Sequence, residues 1–130
     1  MSNPAPGFAK RPDYRVDLSP ETRRVKVVLA GVTIADSGAA LRVEETGHSP
    51  VYYLPEKDVR LDLLHPTEHH TQCPYKGEAS YWTVELPDGS SPKRRSENAV
   101  WAYRDPYDEV SGLAGYYAFY PNRVDAITVT

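Results

Sequence analysis

The sequence predicts a mainly β fold, a small single domain of antiparallel sheets with one or two short helices. Three observations carry this. Short runs of β-branched and aromatic residues are broken by turn residues roughly every 8–12 positions, the spacing of a sandwich or barrel-like domain. The chain holds 10 Tyr and 12 Pro, which suit pleated half-buried surfaces and punctuate helices. No strand is followed by a long helical pattern, which sets a doubly wound α/β fold aside.

The elements follow in order. Residues 1–22 carry Pro4, Pro6, Pro12 and Pro20 among polar residues and read as an extended or mobile N-terminal arm. Phe8, Tyr14, Val16 and Leu18 are the arm's residues able to dock. The β domain is expected over 23–130. Within it, Val25–Leu29 and residues 32–35 flank Ala30-Gly31, the pattern of a tight hairpin. Leu41-Arg42-Val43-Glu44 alternates like a half-exposed strand. Residues 47–50 form a loop, 51–54 a short aromatic strand, and 55–58 a turn or one helical turn. Val59, Leu61 and Leu63 alternate with Arg60 and Asp62, predicting a strand over 59–64. Residues 65–73 read as a polar loop and 79–86 as the strongest strand. After the Pro87-Asp88-Gly89 turn, 90–97 is a polar, basic loop. Residues 99–103 form a strand and 108–114 a short helix. Strands at 116–120 and 124–129 close the domain.

Composition narrows the function. A chain of 130 residues suits one domain, large enough to fold without disulfide or metal. The formal charge of −3 argues against nucleic acid as partner, because such binders carry a basic excess. The single cysteine excludes an intrachain disulfide and a cysteine-based zinc site. The N-terminus lacks a signal-peptide pattern, and no run approaches the ~18 apolar residues of a membrane span. The expectation is a cytoplasmic monomer or small homo-oligomer with no membrane partner.

Candidate chemistry centres on residues 71–82. Cys73 is a candidate nucleophile if a cation or imidazole lowers its pKa, with Lys76 near in sequence. Otherwise it is a small buried hydrophobe. Lys76 before Gly77 can hold a ligand anion as a point charge while the glycine permits close backbone approach. His48, with Glu45 to orient it, is a candidate general base. His65, His69, His70 and Glu68 carry metal-ligating atoms, yet a solvated loop explains them better and no metal or cofactor is expected. The aromatics are the largest signal. Strand parity puts one of Tyr52 and Tyr53 inward, likewise one of Tyr81 and Trp82, while Trp101 and Tyr103 share a face. Such rings can line a pocket with a few convergent polar groups.

Gly47-His48-Ser49-Pro50-Val51-Tyr52-Tyr53 continues into Leu54-Pro55-Glu56-Lys57-Asp58-Val59-Arg60. With residues 71–82, Ala99-Val100-Trp101-Ala102-Tyr103, Asp105-Pro106-Tyr107, Ala118-Phe119-Tyr120 and Arg123-Val124-Asp125, this order closely resembles the domain of unknown function 427 family from about residue 24 onward. The resemblance implies a small β-tent fold of the Mss4 and methionine sulfoxide reductase group. Zinc-holding Cys-x-x-Cys pairs of that group have no counterpart, since Cys73 stands alone. A nucleotidyltransferase label sometimes attached to the family lacks a Gly-rich phosphate loop here, and a close Asp pair for Mg²⁺.

Three functions follow. The first is a ligand-binding domain with Tyr52 or Tyr53, Tyr81 or Trp82, Trp101 and Tyr103 as walls, and Lys76 and His48 as polar groups. Its ligand would be small and anionic or amphipathic. The second is a low-turnover enzyme with hydrolytic or thiol chemistry at Cys73 or His48. The third is a protein-interaction module.

Overall fold

A computed structural model describes residues 2–87 and 95–130. Residues 88 and 89 of the expected turn and 90–94 of the expected 90–97 loop lie outside these residues, and 95–97 are not loop but the start of a strand. Among the described residues ten strands form two antiparallel sheets: β1 (Val16–Pro20), β2 (Val25–Leu29), β3 (Val32–Ser37), β4 (Leu41–Glu45), β5 (Val51–Pro55), β6 (Leu64–Cys73), β7 (Gly77–Glu85), β8 (Arg95–Ala102), β9 (Tyr116–Phe119) and β10 (Ala126–Val129). The larger sheet has the order β1-β4-β5-β9-β8-β7-β6 and the smaller β10-β2-β3. Helical structure among the described residues is short: α1 (Gly7–Lys10) and 3-10 turns at Glu56–Asp58, Leu61–Leu63 and Asp108–Leu113. None of it is long and apolar enough to cross a membrane. The mainly β expectation holds, with two sheets and no closed barrel among the described residues.

The strand alternation sets two apolar clusters on opposite faces of the large sheet. Val25 and Val27 on β2 are fully buried while Lys26 between them is exposed. They pack with Ile34, Leu54, Val84, Val100 and Phe119 between the sheets. The opposite face gathers Val43, Tyr53, Ala79, Tyr81, Tyr103 and Ala118, covered by Val110 and Leu113 of the Asp108–Leu113 turn. Burial on both faces is the main apolar driving force holding this sheet.

The β2–β3 hairpin turns as its sequence predicts. Ala30 and Gly31 have φ of 49° and 77°, the paired positive values of a type I′ turn that matches strand twist.

Four further elements differ from expectation. The arm is not detached: Val16–Pro20 is an edge strand pairing with β4, Val16 opposite Glu45. Ahead of it, the Gly7 N–H donates to the Pro74 carbonyl at 2.9 Å, and Tyr14 stacks on Tyr75 with ring centroids 3.9 Å apart. Prolines hid this strand, yet an edge tolerates Pro20 because no outer neighbour needs its missing N–H. Residues 65–73 are not a loop but most of β6, paired with β7 from Leu64↔Val84 to Cys73↔Gly77. As the other edge strand it is mostly exposed, so no apolar alternation marks it. Residues 59–64 form no strand of their own. Val59 bridges Ala35, then the chain coils through Leu61–Leu63, leaving Leu61 39% exposed and Leu63 buried. There the Arg60 N–H donates to the Ile34 carbonyl at 2.8 Å and Arg60 pairs with Asp62. The expected helix at 108–114 is a 3-10 turn over Asp108–Leu113.

Candidate functional site

Glu45 ends β4, and Lys76 lies in the short turn from β6 to β7. In the large sheet β5, β9 and β8 stand between β4 and β7, yet the Lys76 ammonium donates directly to Glu45 Oε1. The sheet therefore curls, bringing its two ends together over the inner cluster. The Tyr14 hydroxyl donates to Glu45 Oε2, so both carboxylate oxygens are engaged. Lys76 is only 9% exposed, and its Nζ lies 5.9 Å from the centre of the Tyr103 ring, within cation–π reach. Burial pushes the Glu45 carboxyl upward, but the hydrogen bonds from Lys76 and Tyr14 outweigh it and hold its pKa below the ordinary value. Burial and the carboxylate beside it push the Tyr14 hydroxyl up.

Gly77 makes the turn geometry possible. Its φ is +119°, and a Cβ there would sit 3.4 Å from the Asp105 carbonyl oxygen. The neighbouring Lys76 carbonyl accepts from the Tyr107 N–H at 3.1 Å. Lys76 is thus fixed at its backbone on one side and at its ammonium on the other.

Above the ion pair lies a cavity of about 230 Å³. Glu45, Lys76, His48 and Ser49 give it polar groups, while Tyr53, Tyr81, Trp101, Tyr103 and Tyr120 form aromatic walls. Most hydroxyls are tied to neighbours. Tyr81 shares hydrogen bonds with Thr71 at 2.8 Å and with Tyr120 at 3.2 Å, and the Trp101 indole N–H donates to the Tyr53 hydroxyl at 3.2 Å. Burial pushes the Tyr53 and Tyr103 hydroxyls up, and burial with the Tyr81 hydrogen bond pushes Tyr120 up to about 12. At neutral pH these three remain protonated donors. The Tyr103 hydroxyl differs, because it makes no hydrogen bond to protein among the described residues although the residue is 7% exposed.

A second cavity of about 250 Å³ lies on the opposite side of the large sheet, where the sheets face each other. Its lining residues are mostly apolar side chains, with Tyr52 and Trp101 among them, and it shares Val51 and Trp101 with the first.

The structure thus brings Lys76, His48, Tyr53, Tyr81, Trp101 and Tyr103 to one cavity and turns their alternates away. Tyr52 lines the apolar cavity, and Trp82 packs edge-on against Tyr117 beside the inter-sheet core at 5.1 Å. Cys73 is half-buried at the end of β6 beside the inner cluster. It is not among the lining residues, and no imidazole lies within hydrogen-bonding distance of its sulfur among the described residues. His69 and His70 diverge on β6: the His69 ring lies 4.5 Å from that of Tyr81, while His70 stands beside Ser80 and Glu78. Among the described residues no three of His, Cys, Asp and Glu gather closely enough to hold a metal ion.

Sequence reasoning missed Tyr14, Tyr120 and the pairing of Glu45 with Lys76. Tyr120 shows only as the end of a strand, and Tyr14 only as an aromatic in a proline-rich arm.

No curated protein matches the chain. A family model described as a domain of unknown function (DUF427) matches residues 17–130, in agreement with the motif order. It covers every cavity-lining residue named here but not Tyr14, and on that coverage the chain belongs to the DUF427 family.

Proposed function

We propose that the domain binds a small molecule in the cavity above the Glu45–Lys76 pair. The observation that carries this is the Tyr103 hydroxyl, buried at a cavity wall without a protein partner among the described residues. A buried unsatisfied hydroxyl costs about 1–3 kcal/mol, a cost that a ligand acceptor would offset. The surrounding rings supply apolar contact, and the neutral tyrosines supply hydrogen-bond donors. Lys76 already has its charge matched by Glu45, so a bare anion gains less here than a molecule joining a polar acceptor to an apolar body. This favours an amphipathic ligand over a simple anionic one.

A thermal-shift screen of metabolites against wild type, Lys76→Ala and Tyr103→Phe tests the reading. A ligand at a hundredfold excess over its Kd stabilises the fold by about 2.7 kcal/mol. True occupants lose most of their shift in both variants. Failure of every compound to distinguish wild type from these variants sinks the proposal.

Catalysis through His48 is the second reading, favoured by its exposed imidazole bordering the same cavity. A His48→Gln protein that retains ligand affinity while losing turnover of that ligand would separate catalysis from binding.

A further inference from the structure

The two cavities share Val51 and Trp101, which lie where strand pairing in the large sheet is interrupted. Strands β5 and β9 pair only at Leu54↔Tyr117 and Pro55↔Tyr116. Beyond that point Val51, Tyr52 and Tyr53 remain paired with β4, while Ala118 and Phe119 pair with β8. The ladder between β5 and β9 therefore ends, and the strands part. Trp101, opposite Ala118 on β8, spans the gap: its indole N–H reaches the Tyr53 hydroxyl on β5. Its ring borders the polar cavity on one side of the sheet and the apolar cavity on the other, as does Val51.

Resting on the reading of the polar cavity as a ligand site, we propose that the ligand is a two-part amphiphile. Its polar head lies above Glu45–Lys76, and its straight apolar tail passes Trp101 between β5 and β9 into the second cavity. That cavity is bounded by Val27, Ile127 and Val129 of the small sheet and by Leu54 and Phe119 of the large one. These mostly apolar walls offer a tail dispersion and burial. A dry cavity of about 150 Å³ accepts benzene. By the same ratio, the 250 Å³ observed here accepts a tail of roughly ten carbons.

The probes are the straight-chain carboxylates from butanoate to dodecanoate and the matching primary alcohols. Binding is followed by thermal shift and by the NMR signal of the Trp101 indole N–H, assigned with Trp82→Phe. Affinity is expected to rise about fourfold per methylene and to level off near the decyl members. The paired heads report whether the charge itself is preferred. Ile127→Trp, which fills the tail cavity from the small sheet, should flatten the series while leaving the butyl members' weak effect on Trp101 in place. Val129→Phe repeats the block if Ile127→Trp fails to fold, and the wild-type series is informative without either variant. A Trp101 response without gain along the series overturns the two-part ligand and leaves the polar-cavity proposal standing. A series equally steep in folded blocked variants places the tail elsewhere and also overturns it. If no probe moves the Trp101 signal, the two-part ligand is refuted whatever the metabolite screen returns.

Discussion

Replacing Lys76 with methionine isolates the contact that joins the two ends of the curled sheet. The Lys76 and Glu45 side chains are 11% and 15% exposed, so the pair is mostly desolvated. Removing one member of a buried ion pair costs about 3–5 kcal/mol because the other charge is left without its partner. Methionine keeps the apolar stem against Tyr103, and Tyr14 still donates to the carboxylate, which lowers the expected loss to about 2–3 kcal/mol. With unfolding entropy of ~2.1 cal/mol/K per residue, Tm should fall by roughly 7–11 °C. The pH dependence supplies the sharper sign. In wild type the folded pKa of Glu45 lies below its ordinary value of 4.5. Its contribution is therefore complete above that value and is lost as pH falls through the folded pKa. In Lys76→Met the stranded carboxylate is expected to titrate above 4.5, so acid relieves the buried charge and the sign reverses. Urea unfolding at pH 7 and pH 4 should show the gap between wild type and variant narrowing in acid. A cost below about 0.5 kcal/mol at pH 7 would be that of a solvated surface pair, and it would refute this account. A gap equal at both pH values would do the same.

Tyr103→Phe removes a hydroxyl with no protein partner among the described residues. Unfolding free energy should hold or rise by up to about 1 kcal/mol in urea titrations, and a loss of that size would mean the hydroxyl is already satisfied. Gly77→Ala places a Cβ at φ +119°, close to the Asp105 carbonyl. It should cost about 1–3 kcal/mol, read by thermal circular dichroism, with no loss if the turn relaxes freely. Gly7→Ala places a Cβ 2.6 Å from Tyr75 Cε1 and 2.8 Å from the Pro74 oxygen. Limited proteolysis before β1 should accelerate in this variant while β7 stays protected; an unchanged cleavage rate would show that the arm is not held by this contact.

The readable parts of the sequence were those where burial imposes a period. Val25 and Val27 alternate with Lys26, and Ala79 and Tyr81 share the inner face of β7, because each face meets a different environment. β6 carries no such imprint, since an edge strand exposed on both faces satisfies its backbone through β7 while its side chains stay polar. The aromatic site was legible to the level of parity. Two-residue spacing put Trp101 and Tyr103 together, and the structure selects Tyr53 over Tyr52 and Tyr81 over Trp82. What parity cannot supply is the curl of the sheet. Glu45 and Lys76 are 31 residues apart in sequence, and their contact depends on the sum of several strand twists and the register shifts of the β6–β7 and β7–β8 pairs rather than on a local pattern.

Tyr14 sharpens that point. It lies three residues ahead of the family match, which begins at residue 17, yet its hydroxyl occupies one oxygen of the Glu45 carboxylate. The arm reaches this position because Gly7 admits the Tyr75 ring against its backbone and Tyr14 stacks on the same ring. Pro74, Tyr75 and Lys76 therefore join two structures through one turn: Pro74 and Tyr75 dock the arm, and Lys76 binds Glu45. The carboxylate holds β4, the β6–β7 turn and the arm together, and its charge is neutralised before any ligand arrives. On the proposed reading, a cavity built over a neutralised pair discriminates by hydrogen-bond geometry and shape more than by net charge, so the proposed occupant is amphipathic where Lys76 alone in the sequence pointed equally to an anion.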